Sequence, residues 1–92
     1  MTGPGAAASG SLAELRDGLD RLVEILAGSA GLRDLLRPAE EARTEAAQDT
    51  PEPGRIRQLM AAVIRGAGNV TTVTAAAANV AQLAEQLARM IG

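Results

Sequence analysis

The chain has 92 residues, a formal net charge of −2, and no cysteine, histidine, lysine or aromatic residue. These absences exclude Cys/His zinc sites, disulfides, Walker-type phosphate loops and nucleophiles activated by histidine or lysine, and they argue against nucleic-acid binding. The length fits one small domain, and 20 alanines with few large aliphatic residues predict that close alanine-mediated packing or oligomerisation supplements the core.

The first ten residues are small and rich in glycine. This composition predicts a disordered leader over residues 1–10, followed by a single helical domain over residues 11–92. The leader has neither the basic nor the apolar region of a secretory signal, so we expect a cytoplasmic protein.

A first amphipathic helix is predicted to begin at Ser11, because Ser11 and Glu14 have the spacing of a capping box. Leucines then recur at 3-4 spacing and form one apolar stripe, while charged residues occupy the opposite side. The helix is expected to end near Gly28. The stripe residues predicted to face the rest of the fold are Leu12, Leu15, Leu19, Leu22 and Leu26.

A second helix is predicted over residues 29–48, after a glycine-rich break. Pro38 lacks an N–H group, so the helix either kinks there or restarts with Pro38 in its first turn. The half over residues 40–48 is polar apart from its alanines and is expected to be the least buried stretch. The apolar stripe of this helix is predicted to consist of Leu32, Leu35, Leu36, Ala39, Ala42 and Ala46. A proline-rich break comes next, with Thr50 as the predicted cap of a third helix and Pro51 as its first residue.

The most regular feature of the chain is a 3-4 spacing of apolar and small residues that continues from Ile56 to Ile91. Such spacing keeps one side of a helix facing a partner along its whole length. We therefore predict one long helix over residues 52–91, packed as a hairpin against a kinked limb over residues 11–48 and completed as an oligomeric helical bundle. The alternative is a single-chain four-helix bundle broken at residues 68 and 69. The seam residues are Ile56, Leu59, Val63, Gly66, Val70, Val73, Ala77, Val80, Ala84, Leu87 and Ile91.

The middle of this segment carries no charge between Arg65 and Glu85. A solvent-facing side of a helix normally carries charged residues, whereas small and neutral side chains allow a second helix to approach closely. Three interpretations follow: a face covered by protein in an oligomer, an exposed alanine-rich surface, or a segment that enters a membrane. The candidate second interface consists of Gly68, Thr71, Thr72, Ala75, Ala78, Asn79 and Gln82.

Few residues offer catalytic or ligand-binding chemistry. Gly66 and Gly68 supply two of the three glycines of a dinucleotide loop, but no strand precedes them, so helix packing is the better interpretation. Glu41 and Glu45 are four residues apart, yet without histidine a solvated acidic face is favoured over a metal site. We predict a protein that is not an enzyme and has no catalytic residue, cofactor or metal.

The segment that begins PEPGRIRQLM at Pro51 and ends LAEQLARMIG resembles the ending of small all-helical actinobacterial modules. These modules pair an acidic, leucine-rich first helix with a proline-containing turn and an Ala/Val-rich last helix. The resemblance covers residues 51–91 and, more loosely, residues 12–36. It implies an adaptor that associates through its helices, alone or beside effector and regulatory proteins of signalling and conflict systems, with no catalytic residue to transfer.

The function predicted from these features is a non-catalytic protein–protein interaction or self-assembly module. Its expected partner is a second copy of the chain or another helical protein, and nucleic acid is not expected as a partner. The alternative is a membrane-active or pore-forming helical protein that uses residues 66–84, because small-residue helix packing is also common in membranes.

Overall fold

The computed structural model describes residues 4–91, with side chains from Gly10 to Met90. These residues are mostly helical and include no β-strand, so the prediction of an all-α fold is confirmed. The elements are α1 (Pro4–Ala27), a 3-10 helix (Ala30–Leu35), α2 (Leu36–Ala46), α3 (Pro53–Ala67) and α4 (Thr71–Ile91).

The α-helices of this segment form an antiparallel bundle that measures 44 × 22 × 21 Å. Each helix packs against the one before it and the one after it, and α4 closes the ring by packing on α1. The direction of α1 and α2 is visible in their polar contacts. Arg16 Nε donates to the carbonyl oxygen of Ala46 at 2.7 Å, and Arg43 Nη1 lies 3.8 Å from Asp20 Oδ1. The two helices therefore run antiparallel.

The core between the helices consists of aliphatic side chains and alanines, and no polar or charged side chain from residues 10–90 is buried among them. The predicted leucine stripe of α1 lies here, except that Leu12 is only partly buried. Burial of each large aliphatic side chain contributes about 2 kcal/mol, so these residues supply most of the stabilisation. The largest fully buried side chains are Leu15, Leu19, Leu22, Leu26, Ile56, Met60, Val63, Val73 and Val80.

Alanines bring α2 into the core. Ala39, Ala42 and Ala46 have no exposed surface, whereas Leu32 and Leu35 at the edge of the bundle are only partly buried. The expectation that residues 40–48 are the least buried stretch is therefore wrong for Ala42 and Ala46. Because alanine ends at Cβ, the α2 backbone approaches its neighbours closely, and the alanines themselves fill the space that larger side chains fill elsewhere.

The helices begin at different residues from those predicted. The first helix already starts at Pro4, so residues 4–10 belong to α1, and Ser11 lies inside the helix, where a capping box cannot form. Residues 1–3 of the predicted leader lie outside the described residues. The third helix starts at Pro53 with Glu52 at its N-cap, because the fixed φ of proline suits the first helical position. Pro38 lies in the first turn of α2, as the restart alternative predicts.

The predicted long helix over residues 52–91 is broken, and this prediction is wrong. A turn at residues 68–70 separates α3 from α4 and reverses the chain. Gly68 has φ 61° and ψ −116°, a backbone conformation that side chains with a Cβ rarely adopt, and the N–H of Val70 bonds to the carbonyl oxygen of Ala67 at 3.1 Å. The described residues agree instead with the alternative of a four-helix bundle within one chain.

The turn also gives α3 and α4 separate apolar stripes. In α4 the seam residues Val73, Ala77, Val80, Ala84 and Leu87 are buried. In α3 the seam residues Ile56 and Val63 are also buried, but Met60 and Ala67 are buried in place of Leu59 and Gly66. Met60 and Ala67 each lie one residue after the predicted positions Leu59 and Gly66. This offset arises because the turn allows each helix to rotate about its own axis.

Candidate interaction surface

The seam is the core of the single chain. Most of its residues are buried between the four helices, as are the leucines of α1 that were predicted to face it. Three members depart from this: Leu59 is partly buried, while Gly66 and Val70 are exposed. The side chain of Ile91 lies outside the described residues. The apolar stripes are thus covered within one copy, and their burial requires no second copy.

The seven residues of the candidate second interface all lie on the surface. Successive residues of a helix are about 100° apart, so residues on the side of α4 opposite Val73, Ala77 and Val80 point away from the bundle. We call the exposed residues Thr71, Thr72, Ala75, Ala78, Asn79 and Gln82 the outer face of α4. The seventh, Gly68, lies in the turn that precedes this helix.

A shallow groove runs between α3 and α4 beside the outer face of α4. Its volume is about 680 Å³, and Ala61, Ile64, Ala78 and Ala81 supply its apolar lining. Charged residues close one end, where Arg57 Nη2 lies 4.0 Å from Glu85 Oε2 and Arg89 Nη2 lies 2.8 Å from Glu85 Oε1. The groove therefore combines a small-residue floor with a charged rim at one end.

The groove residues of α3 were not singled out from the sequence. Ala61 and Ile64 flank the apolar stripe of α3, and Ile64 is partly buried against the core. Their spacing relative to Arg57 places all three on the side that turns toward α4. Only the break at Gly68, which brings α3 and α4 side by side, makes these positions parts of one surface.

Charge distinguishes the outer face of α4 from the outer sides of α1 and α2. Residues 1–48 contain eight acidic residues and five arginines. The charged residues exposed on α1 include Glu14, Asp17, Arg21 and Glu24. By contrast, α4 has no charged residue before Glu85. A partner that covers this face removes no charged side chain of α4 from water before Glu85, so the desolvation cost of association is small there.

Polar residues elsewhere serve the fold. Glu45 Oε2 accepts the backbone N–H of Glu52 at 3.1 Å, and Glu45 Oε1 lies 3.5 Å from Arg55 Nε. These contacts replace the solvated acidic face predicted for Glu45, whereas Glu41 is exposed. Within the described part of the chain, no three acidic residues lie close enough together to hold a metal ion.

The two glycines that match part of a dinucleotide loop, Gly66 and Gly68, both serve the packing or the turns of the helices. Gly66 lies inside α3 directly beneath Leu35, whose methyl group occupies the place where a Cβ would project. Gly68 forms the turn between α3 and α4. The first of these positions agrees with the prediction of helix packing, and the second is a turn that the continuous-helix prediction did not include.

Among the described helices, none combines the length and apolar character needed to cross a bilayer. The segment over residues 66–84, predicted in the alternative to be membrane-active, turns only part of its apolar surface inward, since Val70, Ala75 and Ala78 are exposed. Val73, Ala77 and Val80 are fully buried in the bundle, so they face protein in this structure.

Comparisons of the chain with protein-family models, curated proteins and solved structures find no match. The resemblance of residues 51–91 to small actinobacterial modules therefore stays a prediction.

Proposed function

We propose that the chain is a non-catalytic protein–protein interaction module that binds a helical partner through the α3–α4 groove and the outer face of α4. The first partner we expect is a second copy of the chain. The resemblance of residues 51–91 to adaptor-type modules adds the proposal that the module acts in a bacterial signalling or conflict system.

The observation that supports this proposal is the uncharged outer face of α4 beside a small-residue groove. Ala78 belongs to both surfaces, and Ala81 and Ala61 line the groove next to it. Helix axes approach to about 8 Å where the residues between them are small. A helix laid along this groove would therefore make close backbone contacts over several turns.

The size of the surface predicts a weak association. Residues 71–82 span about 17 Å at 1.5 Å per residue, which is short for an interface. Stable complexes bury about 800 Å² on each partner, and smaller interfaces are characteristic of transient binding. We therefore expect an association that depends on protein concentration and dissociates on dilution.

The test is the molar mass measured by light scattering after gel filtration, over a range of protein concentrations. The molar mass of the native protein is expected to rise above the 9.4 kDa of one copy as the protein concentration increases. In protein that has not been unfolded and refolded at high concentration, Ala78→Arg is expected to hold the mass at one copy, because it places a long charged side chain in the groove. Its helicity, measured by circular dichroism, should not change since Ala78 is exposed.

Ala13→Arg is the matched control, because Ala13 is an exposed alanine on the opposite, α1 side of the bundle. It should associate like the native chain. A native mass of 9.4 kDa at every concentration rejects self-association. Equal association of the Ala78→Arg and Ala13→Arg variants places the interface elsewhere on the molecule.

A further inference from the structure

The turn between α3 and α4 is short and is closed by the hydrogen bond from the N–H of Val70 to the carbonyl oxygen of Ala67. It consists of Gly68, Asn69 and Val70. Gly68 has the only positive φ in the described part of the chain, and Val70 is 39% exposed although valine is apolar. A continuous helix would give Gly68 a negative φ.

The start of α4 also lacks a side-chain cap. The carbonyl oxygen of Val70 accepts the N–H of Thr74 at 3.0 Å, so Val70 takes the N-cap position. Valine has no side-chain acceptor for the free N–H groups of the first turn, and it ranks far below serine, threonine, asparagine and aspartate at this position. Joining α3 to α4 as one helix would satisfy those N–H groups and the free carbonyl groups at the end of α3.

The side-chain pattern across the turn is compatible with one continuous helix. The buried stripe of α4 continues backward at 3-4 spacing through Val70, Gly66 and Val63 without an inserted or missing residue. The buried stripe of α3 is offset from it by one position, at Met60 and Ala67. If α3 and α4 pack in different bundles, the offset between their stripes determines only the angle between those bundles. It is therefore compatible with α3 and α4 forming one continuous helix.

We infer that the Gly68–Val70 turn is a hinge through which two copies of the chain exchange α4. In the exchanged dimer, α3 and α4 form one helix, and α4 of each copy packs on α1 and α3 of the other. The contacts that α4 makes with α1 and α3 are rebuilt between copies, while those among α1, α2 and α3 stay within each copy. Only the hinge changes conformation, so the exchange requires no new interface. Each four-helix core is then incomplete without the partner's α4. This inference does not rest on the proposed use of the outer face of α4.

A cross-link between α3 and α4 distinguishes the exchanged dimer from a dimer of closed bundles. The native chain has no cysteine, so the double variant Arg57→Cys, Glu85→Cys carries a unique thiol pair. The native side chains at these positions approach to 4.0 Å across the α3–α4 contact. The variant is refolded at high concentration, its dimer is isolated by gel filtration, and a short bis-maleimide reagent is added. Covalent dimers on a denaturing gel are expected, because residue 57 of one copy then faces residue 85 of the other.

Two changes at the hinge test the same inference from opposite directions. Gly68→Ala disfavours the positive φ of the turn and favours a continuous helix, so we expect at least a tenfold lower dissociation constant for the dimer. Gly54→Ala is the matched control, since nothing lies within 4 Å of the added Cβ and Gly54 is not at positive φ. Inserting glycines after Gly68 lengthens the hinge and should leave the double-cysteine variant as a cross-linked monomer.

The inference is overturned if the isolated dimer yields only cross-linked monomers, if no dimer forms on refolding, or if Gly68→Ala leaves the dissociation constant unchanged. Its failure is separable from failure of the proposed function. Ala78→Arg should abolish a dimer of closed bundles and retain the exchanged dimer, whereas the glycine insertion should do the reverse.

Discussion

Glu45 joins the end of α2 to the start of α3 through both carboxylate oxygens. One accepts the backbone N–H of Glu52, and the other lies beside Arg55. Glu52 is the N-cap of α3, but its own side chain makes no capping hydrogen bond. The carboxylate that anchors this helix start therefore comes from the preceding helix.

Replacing Glu45 with alanine should lower the free energy of unfolding by about 1 kcal/mol, the usual net value of a lost hydrogen bond. Urea denaturation followed by circular dichroism measures this change. Glu41→Ala is the control, because Glu41 lies one turn earlier on the same helix and is exposed. Equal effects of the two substitutions would show that the Glu45 contacts contribute nothing to stability.

For a single helix such as α2, the sequence predicts which residues share one side but not how deeply those residues are buried. Its alanines at 3-4 spacing and the role of Pro38 follow from periodicity and from the missing N–H of proline. The complete burial of Ala42 and Ala46 does not, because burial depends on how near the neighbouring helices lie. Spacing along one helix says which residues share a side, and only the assembled bundle says how closely that side is covered.

The close approach of α2 can be tested by enlarging one of its alanines. Ala42→Leu adds three carbon atoms where no exposed surface remains, so it should lower the free energy of unfolding by about 1–3 kcal/mol. Ala47→Leu, at an exposed position just after α2, should change it little. Thermal and urea unfolding of both variants measure the difference. A stable Ala42→Leu variant would mean that α2 lies farther from the core than described.

The break at Gly68 was concealed by the same regularity that revealed the helices. A side-chain pattern at 3-4 spacing is compatible with one long helix and with two helices joined by a turn that preserves the count of residues. What separates the two is the backbone conformation of Gly68, which glycine permits and does not impose. The groove between α3 and α4 depends on this turn and was therefore not predictable from spacing alone.

In the whole molecule, the buried stripe of α4 lies in the core, whereas its exposed outer face is the surface proposed for association. Val73→Asp buries a carboxylate at a position with no exposed surface and should unfold the chain, with loss of helicity in circular dichroism. Thr72→Arg changes an exposed neighbour on the same helix and should keep the native helicity while weakening association. Native helicity in Val73→Asp would mean that the stripe assigned to α4 is wrong.

A chain that folds as a closed bundle and associates through its α3–α4 side should report this association in its backbone amide chemical shifts, measured over a dilution series. We predict concentration-dependent shifts at Thr71, Ala75, Ala78 and Gln82, with unchanged shifts at Ala13 and Glu24 on the outer side of α1. Shifts concentrated on α1 and α2, or a spectrum that does not change with concentration, would contradict the account.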